Sequence, residues 1–173
     1  MHLWTFQNKK KIGTIIKNGL IRGDWDFVYD KDKTPYKYMF LEMLKRGLDC
    51  GEHPPVWAWA AWPNEDIARQ FLSDHQIEQE IVLLHFTCSP SNFIASSYNA
   101  WCEFIYHHHL YCGSLDANYL LTNSVTTRLF DIQSLDIEDD LIQATLPLIH
   151  RDWIIKKTHV ELDKNNNVKY SDF

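Results

Sequence analysis

The chain of 173 residues has little glycine and little proline, six of each, and only four cysteines. So few Gly and Pro exclude a low-complexity or linker-rich chain. Cys50, Cys88, Cys102 and Cys112 stand far apart and form no Cys-x-x-Cys pair. That spacing excludes a zinc knuckle and a secreted disulfide framework, and leaves reduced, packed thiols. There is no apolar run long enough to span a bilayer, and the start, Met1-His2-Leu3-Trp4-Thr5-Phe6-Gln7-Asn8, runs straight into Lys9, Lys10 and Lys11 with no leader-like stretch. A soluble, cytoplasmic protein without membrane contact is expected. No Gly-x-Gly-x-x-Gly, Walker loop, Gly-x-Ser-x-Gly or His-Glu-x-x-His occurs, which sets aside the commonest nucleotide-fold, esterase and zinc-protease chemistries.

Hydrophobic residues make up 45% of the chain and aromatic residues 14%. That is enough for one well-buried core and too short a chain for two ordinary domains. The expectation is a single globular domain over residues 1–160, with 161–173 a polar tail or an edge strand. Residues 1–47 hold ten Lys or Arg against five Asp or Glu, and the remainder seven against eighteen, so charges of +5 and −11 underlie the net −6. A basic first segment could draw a phosphate-bearing ligand, or Lys9, Lys10 and Lys11 could form a solvated turn. The acidic bulk argues against generic binding along a DNA backbone.

Leu3 to Gln7 reads as a strand, and Ile12, Ile15, Ile16 and Leu20 recur at helical spacing up to an Asn18-Gly19 stop. Trp25 to Pro35 reads as a loop, with Trp25 and Phe27 folding back onto the core. Tyr36, Met39, Phe40, Met43 and Leu44 form a second helical stripe, Asn64 caps a short third helix, and Trp101, Phe104, Ile105 and His108 mark a large fourth. Glu80 to Thr87 and Phe93 to Ser96 read as strands. Leu141 to Ile149 reads as another, with Trp153 to Val160 its hairpin partner or neighbour. The order gives an α+β fold, a single compact domain with small antiparallel or mixed sheets and three to four helices.

Four of the seven tryptophans fall in two short phrases, Leu3-Trp4-Thr5-Phe6-Gln7 and Val56-Trp57-Ala58-Trp59-Ala60-Ala61-Trp62. Strand alternation puts Trp57 and Trp59 on one face and the small Val56, Ala58 and Ala60 on the other. Flat rings side by side are either core or a wall on which a base or sugar stacks. Arg22, after the glycine turn, is the candidate for phosphate because its planar fork can hold two oxygens. A tyrosine hydroxyl at Tyr38, beside such a wall, would suit a ligand.

The phrases Leu3-Trp4-Thr5-Phe6-Gln7, Asn18-Gly19-Leu20, Tyr38-Met39 with Met43 and Arg46, and Pro55-Val56-Trp57-Ala58-Trp59 resemble a family of uncharacterised bacterial proteins, domain of unknown function 3841. The likeness continues through Val82-Leu83-Leu84-His85-Phe86, Trp101, and Ile142-Gln143-Ala144-Thr145 before Trp153-Ile154, so it spans nearly the whole chain. It implies one small domain and names no activity. The chain also resembles small ADP-ribosyltransferase-like domains, which open with a polar-bearing strand, a helix and a glycine turn, as Thr5, Gln7 and Asn18-Gly19 do. That resemblance implies NAD as cofactor, Trp57 and Trp59 as the aromatic wall, and Ile142-Gln143-Ala144-Thr145 as the late strand. Thr145 stands where those domains carry a carboxylate. An anion is needed there because departing nicotinamide leaves positive charge on the ribose. Gln143 could orient a hydroxyl, and the carboxylate would come from Glu103, Asp24 or Asp26.

The resulting expectation is a cleft lined by Thr5, Gln7, Arg22, Tyr38, Trp57, Trp59 and Gln143 that binds a nucleotide-like molecule. Gln143 and Glu103 would be catalytic if ADP-ribose passes from NAD to a protein or nucleic-acid target. A second reading is a non-catalytic protein-interaction module with structural tryptophans. A third is a metal-dependent nuclease or hydrolase using Glu103 and His107, one helical turn apart. No metal is expected, since the consecutive His107, His108 and His109 point in different directions on a helix. His85, mid-strand among apolar neighbours, reads as a core histidine.

Overall fold

A computed structural model describes residues 1–111, 124–134 and 141–173. Along the chain the elements are β1 (His2–Asn8), α1 (Lys9–Asn18), β2 (Leu20–Ile21), α2 (Lys33–Lys45), β3 (Val56–Trp59), α3 (Glu65–Phe71), α4 (Asp74–Glu78), β4 (Ile81–Thr87), β5 (Ile94–Ser97), α5 (Tyr98–Tyr111), α6 (Ser124–Phe130), β6 (Ile142–Leu146), β7 (Ile149–His150), β8 (Ile154–Leu162) and β9 (Val168–Asp172). The fold is α+β, and its registered strand pairs are antiparallel. Six helices are described, two more than the periodicity predicts. Among the described residues no helix is long and apolar enough to cross a membrane.

The described chain divides into two compact units, each drawn from separated segments. Residues 1–21, 58–90 and 148–173 form unit 1, and residues 22–57 and 91–147 form unit 2.

Unit 1 is built on β1, β4, β8 and β9. Their registers run Leu3↔Phe86 and Thr5↔Leu84, then Leu84↔Lys157 and Val82↔His159, then Val160↔Tyr170. Leu3, Val82, Leu84 and Phe86 are fully buried, as the apolar run of β4 requires. On the other face Leu83, Ile81, Val160 and Val168 pack with Ala68, Leu72 and Ile77, while Trp4, Phe6 and Tyr170 lean on that cluster. Asn8 caps α1 by accepting from the Lys10 N–H at 2.9 Å, and Gly19, at φ +76°, ends it with its N–H on the Ile15 carbonyl. Lys9, Lys10 and Lys11 therefore open a helix, where Lys9 pairs with Glu80 at 2.7 Å. A capping box of Ser73 and Gln76 starts α4.

Unit 2 packs α2, α5 and α6 against the β5–β6 ladder. Its core holds Met39, Met43, Cys50, Ile94, Ala100, Trp101, Phe104 and Leu129. Trp25 is half-buried and its indole N–H donates to the Glu52 carbonyl at 2.9 Å, whereas Phe27 is 71% exposed rather than folded inward. Gly23 admits no side chain, because a Cβ there would lie 2.1 Å from the Pro54 carbonyl oxygen.

The expected hairpin between the last two long strands does not form. Pro147 interrupts the run, β6 pairs with β5, and the next residues, Ile149–His150, pair instead with Leu20–Ile21. β8 joins β4 on one side and β9 on the other, so residues 168–172 are a strand.

Candidate functional site

Strand β6 alternates Ile142, Gln143, Ala144, Thr145 and Leu146, a pattern that ordinarily turns its polar side chains to water. Here Gln143 is 2% exposed and Thr145 and Ser96 are fully buried. Ser96 lies directly opposite Gln143, and Ile94 opposite Thr145, so all four share one face of the ladder. Ile94 belongs to the cluster that holds Trp101 and Leu129 and that Trp57, Tyr36 and Tyr38 lean against. The polar trio thus points toward the aromatic core of unit 2.

Among the described residues the Ser96 hydroxyl, the Gln143 amide nitrogen and the Thr145 hydroxyl have no hydrogen-bond partner. Burying such a group unpartnered costs roughly 1–3 kcal/mol. Three on one ladder face is a local cost that a purely structural β-pair would avoid by substituting Ala or Val.

The rings beside this face form a connected set. Trp57 and Trp101 have centroids 4.7 Å apart, Tyr36 stands edge-on to Trp57 at 5.6 Å, and Tyr38 packs on Phe104 at 4.9 Å. Burial, and next the nearby charge of Asp32, push the Tyr36 hydroxyl up to about 12, with a hydrogen bond to the Trp57 indole acting the other way. The Asp32 carboxylate also meets the ring Nε2 of His109 at 2.7 Å. Burial and the His109 ring lower the pKa of His108, against the pull of Asp32. Burial is also what raises Tyr38, with Glu42 adding to it and Arg46 opposing.

The residues expected at the site fall into both units. Thr5, Gln7 and Trp59 belong to unit 1, where the Gln7 amide donates to the buried Thr5 hydroxyl at 3.0 Å and Trp59 stacks on Phe71 at 4.3 Å with planes 7° apart. Arg22, Tyr38, Trp57, Glu103 and Gln143 belong to unit 2. Trp57 and Trp59 are half-buried between the buried Val56 and Ala58, and each is covered by aromatic rings of its own unit. Arg22 is half-buried, and its charge opposes the rise that burial and Asp49 impose on Cys50, a thiol pushed up to about 11.

Glu103 does not stand ready for a ribose or a metal. Its Oε2 accepts from Arg128 at 2.7 Å, and its Oε1 lies 3.6 Å from the His107 ring. Among the described residues no group of three or more His, Cys, Asp or Glu could hold a metal ion. Asp24 caps its own turn by accepting from the Asp26 N–H at 3.1 Å. Cys50, Cys88 and Cys102 are in no disulfide among the described residues, and Cys112 lies outside them.

Sequence reasoning does not mark Ser96, Tyr36 or the Asp32–His109 pair as site residues, and it marks Thr145 only as lacking a carboxylate. The available signal was the pairing of a Ser-bearing strand with a Gln-x-Thr strand, each beside apolar neighbours. No family model, no curated protein and no solved structure matches this chain.

Proposed function

We propose that unit 2 binds a nucleotide-like ligand, with Ser96, Gln143 and Thr145 meeting the hydrogen-bonding edge of a neutral planar group beside Trp57, Tyr36 and Trp101. The reading is carried by the three buried, unpartnered polar groups on one face of β5–β6. Two hydroxyls and an amide nitrogen bring no formal charge, so they suit a base, a carboxamide or sugar hydroxyls rather than a phosphate. Arg22 is assigned to the phosphate. Leu129 of α6 shares a cluster with Ile94 on this face, so entry of the ligand goes with displacement of that seven-residue helix.

NAD and ADP-ribose come first among ligands because of the resemblance to ADP-ribosyltransferase-like domains. The likeness to domain of unknown function 3841 is part of the same proposal and adds architecture without a substrate. Transfer of ADP-ribose would need a carboxylate beside the ribose, and Glu103 is engaged by Arg128. The proposal is therefore binding, and transfer would follow only where a target or partner supplies the carboxylate.

Thermal shift and tryptophan fluorescence against NAD, ADP-ribose, ATP and short RNA test the proposal. Saturable quenching and a raised Tm are expected with at least one. Gln143→Ala should weaken that binding about tenfold or more, in keeping with the loss of one buried hydrogen bond at roughly 1–3 kcal/mol, and should also lower Tm in the absence of ligand, because truncating a buried side chain leaves a cavity. Silence toward every ligand, or undiminished binding by Gln143→Ala, would sink it.

The protein-interaction reading draws on a different observation. Cys102, Tyr106 and Leu110 form an exposed stripe along α5, with Tyr106 60% and Leu110 56% exposed. Tyr106→Lys should leave nucleotide binding intact, so the two readings separate in one experiment.

A further inference from the structure

In unit 1 two imidazoles meet at one end of the β1–β4 ladder. His2 lies opposite Thr87 and Trp4 opposite His85, which makes His2 and His85 diagonal neighbours on one sheet face. Their rings are 5.1 Å apart between centroids, and His2 Nδ1 stands 2.9 Å from His85 Nε2. Trp4 stacks on His85 at 4.8 Å with planes 9° apart, which holds that ring in place from the side. Trp62 in turn stands edge-on to Trp4 at 6.3 Å. Packing of this kind fixes ligand orientation before any ion arrives.

The 2.9 Å spacing is that of a ring-to-ring hydrogen bond, and it also matches the bite of a right-angled chelate. With metal–nitrogen bonds of about 2.0–2.1 Å, two cis ligands at right angles have nitrogens ~2.9 Å apart, while tetrahedral ligands would have them ~3.3 Å apart. Right-angled nitrogen pairs suit tetragonal Cu(II) or Ni(II) as well as octahedral ions, and among these Cu(II) stands highest in divalent affinity. We infer that His2 and His85 form a two-imidazole site for Cu(II), completed by solvent. Both nitrogens must then present lone pairs. The ring that carries the shared proton switches tautomer, passing it through water to its own other nitrogen, so no net proton is lost by the pair. Two cations lie at this end of the ladder: the Met1 ammonium, which donates to the Cys88 carbonyl at 2.8 Å, and Lys156 on β8 opposite His85, whose ammonium lies 3.5 Å from the Asp172 carboxylate.

Titration with CuCl2, followed by calorimetry, electron paramagnetic resonance and tryptophan fluorescence, tests the site. One equivalent is expected, with a tetragonal spectrum showing coupling to two nitrogens and partial quenching from Trp4. Zn(II) should bind at least tenfold more weakly. His2→Gln and His85→Gln should each weaken Cu(II) binding tenfold or more, and His107→Gln should leave it unchanged. His2 is exposed, so its variant keeps the test open if His85→Gln fails to fold. Absence of Cu(II) binding overturns the inference. So does binding that survives either substitution, since the ion would then be held elsewhere.

Discussion

The two units bury polar side chains on different terms. In unit 1 the Thr5 hydroxyl receives the Gln7 amide, with the Trp4 indole nitrogen left without a partner among the described residues. In unit 2 three such groups lie on a single ladder face. Unit 1 has the longer ladder, with the seven-residue strand β4 between β1 and β8. Unit 2 has a four-residue strand against a five-residue one, covered by helices. A sheet that spends its buried positions on aliphatic side chains is built for stability. One that spends them on unanswered hydrogen-bonding groups gives up stability, and such departures collect at functional sites. On this comparison unit 1 keeps its long ladder aliphatic, and the proposed site for a polar ligand falls in unit 2.

The largest effect should come from that ladder. Leu84 is fully buried between Thr5 on β1 and Lys157 on β8. Leu84→Ala should cost about 2–5 kcal/mol in urea unfolding, from lost burial and the cavity left behind. If the comparison holds, the surviving folded fraction binds the same ligand with the same affinity. Affinity that falls along with stability would break it.

A smaller effect should appear in the alkaline pH dependence of stability. The folded-state pKa of Tyr36 is raised to about 12, first by burial. A raised folded value means that the contribution is complete below the unfolded value near 10 and is lost as pH rises through the folded one. Wild type should lose roughly 2–3 kcal/mol across that window through this residue. Tyr36→Phe should flatten that part of the alkaline profile, measured as urea midpoints from about pH 9 to 11.5. An unchanged slope would mean that Tyr36 does not sit in the ring cluster as described.

Much of this architecture is legible in the sequence because it is locally encoded. The Asn64 cap, the Asn18-Gly19 stop, the Met39–Met43 stripe and the apolar run of β4 each announce themselves within a few residues. Pairing does not. β6 and β8 look like a hairpin, and only the competing partners β5 and β4, distant along the chain, decide otherwise. The five-residue α4 carries its signal in the Ser73 to Gln76 capping box, too short for periodicity to reveal. The site was half-visible for the same reason. Gln143, Trp57 and Tyr38 stand out by type, but the burial of Ser96 and Thr145 depends on helices laid over the ladder. The meeting of His2 with His85 joins residues 83 positions apart.

The smallest predicted effect is the sharpest, because it changes sign between units. Thr5 and Thr145 are both buried strand threonines, 2% and 0% exposed. Valine replaces a hydroxyl by a methyl at nearly constant shape, so each substitution reports on the hydroxyl and little else. At Thr5 the hydroxyl is the acceptor for the Gln7 amide, and Thr5→Val leaves that donor unanswered. A loss of about 1 kcal/mol is expected. At Thr145 the hydroxyl has no partner among the described residues, and its removal deletes a desolvation cost. Thr145→Val should therefore stabilise the protein by about 1 kcal/mol while weakening the nucleotide-like ligand severalfold. Opposite signs in urea unfolding would establish that unit 2 holds polar groups at the expense of its own stability. A destabilised Thr145→Val protein would place that hydroxyl in a structural hydrogen bond and leave the two units alike.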